Sequence, residues 1–272
     1  MKKTGLAALI FLGGSVIAAS VIRFFQYVSL IDFGTGFYFS GAEGPGMLIY
    51  IALAAFAAVF IVLAFIGKKS GAPAYSLSSD GMGEKATIPL GISYLLAAVL
   101  GLFPILDGSD MLVFSIISCA AFAASGLLLL NNKIPPKYIG YIQLFAAVGW
   151  FFKTSSFFGK DLIIINHSEN LITLMGYIMA VLFITASARF FSRLETKLSR
   201  MREIISAGLT LLISGTAFIS KGMAILLGGE AVKGIGSLNA DMASAFIISL
   251  GFLITLFTAE KNKEIEYLAA ND

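Results

Sequence analysis

The stretch Gly46-Met47-Leu48-Ile49-Tyr50-Ile51-Ala52-Leu53-Ala54-Ala55-Phe56-Ala57-Ala58-Val59-Phe60-Ile61-Val62-Leu63-Ala64-Phe65-Ile66, closed by Gly67-Lys68-Lys69, decides the fold. No charge interrupts it, and about 20 such residues at 1.5 Å each cross the ~30 Å hydrocarbon core of a bilayer. Lipid offers no partner to a backbone N–H or C=O, so a run this long and this continuously apolar reads as a helix rather than a barrel strand. The two lysines at its end mark the side that is not translocated.

Seven further runs have the same character: Leu6 to Leu30, Ile88 to Leu106, Met111 to Leu130, Tyr138 to Phe158, Leu171 to Phe191, Ile204 to Leu227 and Ala240 to Phe257. The composition agrees, with 58% hydrophobic residues, 13% charged and a mean hydropathy of +0.90. Soluble domains average about 45–50% apolar and about 25% charged. The expected fold is therefore all-α, a polytopic bundle of eight transmembrane helices.

Basic residues crowd into every second gap. Lys2 and Lys3, Lys68, Lys69 and Lys85, Lys133 and Lys137, Arg189, Arg193, Lys197, Arg200 and Arg202, and Lys261 and Lys263 make fourteen of the nineteen. The positive-inside rule places those gaps, and with an even number of spans both termini, in the cytoplasm. The expected location is the cytoplasmic membrane of a bacterium. Lys2 and Lys3 followed by Leu6 to Ala19 and Ile17-Ala18-Ala19-Ser20 have the form of a secretory signal. The apolar run continues to Leu30, so it is read as a retained span, and the orientation of the rest is the same either way.

Several function classes fall away. The net charge of +3 resides in short loops that membrane orientation accounts for, so no nucleic-acid partner is expected. One cysteine, Cys119, and one histidine, His167, leave too few ligands for zinc or haem, and no metal or cofactor is expected. There is no His-Glu-x-x-His helix, no phosphate-binding glycine loop and no intramembrane aspartate pair. Ser125 lies toward the cytoplasmic end of its span and His167 outside, so they form no dyad. The chain is not expected to be an enzyme.

Pro135 and Pro136 punctuate the junction of the fourth and fifth spans and divide the chain into residues 1–132 and 133–272, four spans each. Arg23-Phe24-Phe25-Gln26 in the first span and Trp150-Phe151-Phe152-Lys153 in the fifth lie at similar depth and in the same direction. A parallel repeat of two four-helix halves gives such a match, and so does chance in aromatic-rich helices. Gly208, Gly215 and Gly222 recur every seventh residue in the seventh span, a face suited to close helix packing.

The exceptions to the charge rule are the candidate site. Arg23 lies about 10 Å below the outer end of its helix, where an arginine costs about 2.5 kcal/mol or more unless it snorkels, pairs or faces water. Its available partners are Asp32, Asp107 and Asp110. Lys153 lies at similar depth, and Lys221 near the outer end of the seventh span. With Gln26 alongside, these cations could line an outward-facing cavity for a small polar or anionic solute, with Asp32 as counter-charge. The bland reading is that each cation snorkels or makes one structural pair. Asp107-Gly108-Ser109-Asp110 is ordinary turn chemistry.

Arg23-x-x-Gln26 followed by Asp32-x-x-Thr35-Gly36-Phe37 resembles a group of uncharacterised eight-span membrane proteins of clostridia and related Firmicutes. The segment from Phe152-Lys153 through Tyr177 is similar as well, with lysine where that group has arginine, and Gly44-Pro45-Gly46 matches part of its Pro-Gly-His-Pro type segment. The resemblance implies eight spans and highlights these residues, and it implies no activity. The leading expectation is a membrane protein that binds or transports a small polar or anionic solute. The alternative is a structural or accessory subunit, whose charges hold its own helices, a membrane partner or a second copy together.

Overall fold

The computed structural model describes residues 3–32, 37–69, 84–106, 112–131, 136–161, 168–194, 199–228 and 238–269. Among these the elements are α1 (Lys3–Ser29), β1 (Ile31–Asp32), β2 (Phe37–Tyr38), α2 (Glu43–Gly46), α3 (Leu48–Lys69), α4 (Glu84–Leu100), α5 (Leu102–Leu106), α6 (Leu112–Leu130), α7 (Pro136–Asp161), α8 (Ser168–Phe191), α9 (Ser199–Leu227) and α10 (Ala240–Ala269). The protein is an all-α bundle with one two-residue antiparallel hairpin, Ile31 opposite Tyr38 and Asp32 opposite Phe37.

A long helix lies at each of the eight apolar runs. Six are long and apolar enough to cross a membrane: Ala7–Ser29, Gly44–Lys69, Thr87–Leu106, Leu112–Leu130, Glu169–Phe191 and Arg200–Leu227. Large apolar side chains remain exposed around the bundle, among them Ile17, Ile51, Val113, Phe151 and Leu182. In water such a surface would aggregate; in a bilayer it is the lipid-facing coat of a multi-pass membrane protein. α7 is long but carries Lys153, Thr154, Ser155 and Ser156, and the apolar part of α10 is the shorter Ala240–Leu256.

The third run is broken rather than continuous. α4 stops at Leu100, Gly101 turns, and α5 follows with Pro104 inside its first turn. Proline has no N–H to donate back and its ring crowds the preceding turn, so the break falls where glycine and proline come close together. At the far end of α8, Leu194 N–H bonds Arg189 C=O (3.0 Å) and Arg193 N–H bonds Phe190 C=O (3.1 Å), with Arg193 at φ +60°. This is a Schellman termination with arginine where glycine is usual.

The helices form a ring, α9–α8–α7–α6–α4–α10 and back to α9, while α1 and α3 pack on each other and attach to α9. The first four long helices are therefore two separate hairpins, α1–α3 and α4–α6, whereas α7 to α10 are contiguous. Small residues set the closest crossings. A Cβ at Gly126 of α6 would stand 2.9 Å from the Gly91 carbonyl oxygen of α4. The glycines of α9 serve different neighbours: Gly208 receives the Phe60 ring of α3, and Gly215 receives Phe246 of α10 and Val16 of α1.

Candidate functional site

The ends of α1, α7 and α9 meet the starts of α3, α8 and α10 at one end of the bundle, beside the hairpin. Arg23 is there because Ala19, Ser20, Arg23, Gln26 and Tyr27 form the buried face of α1, while Ile10, Ile17 and Phe25 point away from the bundle. Arg23 is fully buried. It does not snorkel; it is solvated by the protein.

Arg23 Nη1 donates to Gln26 Oε1 (3.0 Å) and to the Tyr38 hydroxyl (3.1 Å), and the guanidinium stands 4.6 Å from the centroid of the Tyr27 ring. Gln26 Nε2 in turn donates to the carbonyls of Pro45 (3.1 Å) and Gly46 (3.2 Å), and the Tyr38 hydroxyl donates to Gly46 (3.3 Å). One side chain of α1 thus clamps the entry to α3. A Cβ at Gly46 would lie 2.7 Å from the Tyr38 ring, so glycine there lets the ring rest against the backbone. Asp32 is half-buried in β1.

Lys153 is placed in a second network. Its Nζ pairs with Asp241 Oδ1 at 2.7 Å, and Tyr177 donates to Asp241 Oδ2, also at 2.7 Å. Lys153 is only 5% exposed, so the pair lies in the bundle rather than at its rim. Asn239 Oδ1 accepts from the backbone N–H of Asp241 (3.0 Å) and Met242 (3.2 Å), which makes Asn239 the N-cap of α10. The Trp150 ring lies 5.8 Å from Lys153 Nζ and 5.6 Å from the Tyr177 ring. Helices α7, α8 and α10 are tied through one carboxylate.

Lys221 of α9 pairs with Glu169 in the first turn of α8. Arg23, Tyr27, Glu169, Lys221 and Asn239 line a small cavity of about 10 Å³, room for about one water. Of the residues singled out by sequence, Arg23 and Lys221 therefore share a cavity, with Gln26 behind Arg23. Lys153 does not line it. Asp107, Asp110 and His167 lie outside the described residues.

Asp241, Glu169, Tyr27 and Tyr38 escaped the sequence reading, and Tyr177 entered it only through the resemblance. Asn239-Ala240-Asp241 did carry a signal, an N-cap residue with an acid in the first turn of an apolar run. Tyr27 carried none, because tyrosine is ordinary in membrane helices, and Tyr38 carried none in the loop after the first run.

Two more polar groups lie deeper. Gln143 Nε2 donates to the Tyr94 hydroxyl (2.8 Å), which lies 3.5 Å from Ser187 Oγ. At the opposite end of the bundle Arg200 pairs with Glu203 at 2.7 Å, with its guanidinium 3.6 Å from the Phe190 ring centroid. Arg200 is 6% exposed and Glu203 2%. The topology count treated Arg200 as a loop cation; it is instead a buried packing element joining α9 to α8. Among the described residues no group of three or more His, Cys, Asp or Glu side chains is placed to hold a metal.

No family model, curated protein or solved structure matches the chain.

Proposed function

We propose that the protein spans the cytoplasmic membrane eight times, through α1, α3, α4 with α5, α6, α7, α8, α9 and α10, with both termini in the cytoplasm, and binds or transports a small polar or anionic solute at the hairpin end. The division into residues 1–132 and 133–272 is kept as a topological one, each half beginning and ending on the cytoplasmic side. The resemblance at Arg23 to Phe37 supports this topology.

The observation that carries the solute reading is the cavity lined by Arg23, Lys221, Glu169 and Asn239. Charged groups inside the membrane zone are costly and most often belong to a ligand or ion pathway. Two cations and one carboxylate suit an anionic or zwitterionic group. At about 10 Å³ the cavity is too small for a solute, so a solute enters by parting Lys221 from Glu169 and offering Lys221 its own anionic group in exchange. Lys153 and Asp241 then act as a strut beside the site.

The test is a thermal-shift and Trp150 fluorescence screen of amino acids and small carboxylates against the purified protein. A ligand should raise the melting temperature of the wild type but not of Lys221→Gln, and Glu169→Gln should bind it more tightly. No response across the panel sinks the reading.

A second reading is favoured by one specific observation. Lys153 and Lys221 are each neutralised by a carboxylate on a neighbouring helix, as expected of a structural or accessory subunit whose charges fasten helices. On that reading the substitutions lower stability and the screen stays silent.

A further inference from the structure

At the end of the bundle opposite the hairpin, α8 and α9 flank a groove of about 420 Å³, lined by Met179, Leu182, Ala186 and Leu209 along its length and by Arg189 and Arg202 at its mouth. Among the described residues the lining contains no acidic side chain. We propose that this groove is a binding site for an anionic phospholipid, with one acyl chain between α8 and α9 and the phosphate between Arg189 and Arg202.

Length, charge and availability point the same way. From Met179 to Arg189 the groove runs about 15 Å along the helix, half of a ~30 Å hydrocarbon core and so the depth of one leaflet. Its walls are apolar where a chain would lie and cationic where a headgroup would sit. Basic pockets between helices at the cytoplasmic face have the chemistry that holds anionic headgroups. Arginine also offers paired N–H donors matched to two phosphate oxygens.

Among the described residues nothing competes for the two arginines. Arg189 and Arg202 are exposed, and neither has an ion pair among the described residues. The carboxylate next to Arg202 in sequence, Glu203, is taken by Arg200, whose guanidinium lies against Phe190. That buried pair fixes the start of α9 against the end of α8 and holds the mouth of the groove at a set width. The lower wall is equally fixed, since Thr210 Oγ1 donates to the Met179 carbonyl at 2.9 Å.

The test reconstitutes the full chain in nanodiscs of phosphatidylcholine containing phosphatidylglycerol and counts retained lipids by native mass spectrometry. The wild type should retain one phosphatidylglycerol in preference to phosphatidylcholine. Arg189→Gln with Arg202→Gln should cut that preference about tenfold or more, and Arg189→Lys with Arg202→Lys should keep part of it. Ala186→Trp fills the groove and leaves both arginines, so it separates a seated lipid from mere attraction to a basic surface, and it decides the matter should the double glutamine variant not fold. Lys137→Gln, at the start of α7, is the charge-loss control and should change nothing. Retention unchanged in Ala186→Trp, or no preference in the wild type, overturns the proposal. So does disulfide dimerisation of Leu182→Cys in a Cys119→Ser background, which would give the groove to a second copy of the chain.

Discussion

Lys153 and Asp241, 88 residues apart in the chain, meet at 2.7 Å, and the second oxygen of the same carboxylate receives the Tyr177 hydroxyl. Because both charges are buried, removing one partner costs more than the pair itself contributes. Asp241→Leu leaves Lys153 with little beyond the Trp150 ring and should destabilise by about 3–5 kcal/mol. Lys153→Met should cost less, since the carboxylate keeps Tyr177 and its place in the capped first turn of α10. The double variant should recover most of the loss. Thermal unfolding of the four proteins in one detergent closes the cycle, and additive losses would show that the pair is not coupled.

Tyr177→Phe removes the hydrogen bond to the ionised Asp241 and leaves the ring beside Trp150 and Phe157. Such bonds are worth about 1.5–3 kcal/mol. The loss should shrink in an Asp241→Asn background, where the acceptor is neutral. An equal loss in both backgrounds would assign the hydroxyl to some other role.

The crossing of α4 and α6 gives a packing prediction that does not depend on charge. Gly126→Ala drives a methyl against the Gly91 carbonyl, a backbone atom that cannot rotate aside, and should cost about 1–3 kcal/mol as the helices separate. Gly159→Ala, where nothing lies within 4 Å of the new Cβ, should be neutral or stabilising by up to about 1 kcal/mol, the helix-propensity gain. Equal melting temperatures for the two variants would contradict this packing.

The positions of the helices were legible because a membrane span writes itself as a local apolar run: each of the eight runs is helical, the third in two pieces, and six are long and apolar enough to cross a membrane. What each helix faces was not legible. In a soluble helix polarity separates the core face from the solvent face, but lipid and core are both apolar, so buried Leu53 and exposed Ile51 of α3 look alike in sequence. Arg23, Gln26, Lys153 and Lys221 stood out because a polar group in that setting needs a solution. Which solution each found depended on partners far away in the chain: Tyr38, Asp241, Tyr177 and Glu169. The broken third run was written in Gly101 and Pro104, yet its apolar content concealed it. Arg200 was misread for the opposite reason, since a basic residue between two spans resembles every other topology marker until Glu203 and Phe190 close on it.

The proposed orientation rests on loop charge alone, and two exposed positions test it directly. Phe39 lies at the hairpin end and Leu194 just past the end of α8, 51% and 63% exposed. Cys119 is removed first; serine suits that position, because the thiol donates to the Ala98 carbonyl at 3.0 Å and a hydroxyl can do the same. In intact cells a membrane-impermeant maleimide should label the Phe39→Cys variant and spare Leu194→Cys, and after permeabilisation it should label both. The reverse pattern would put the termini outside, turn the Arg23 cavity toward the cytoplasm, and make Arg189 and Arg202 violations of the positive-inside rule. Labelling of both in intact cells would mean that an even number of spans, not the proposed five, separates the two positions, and α7, with its Lys153 and its serines, would be the first helix to doubt.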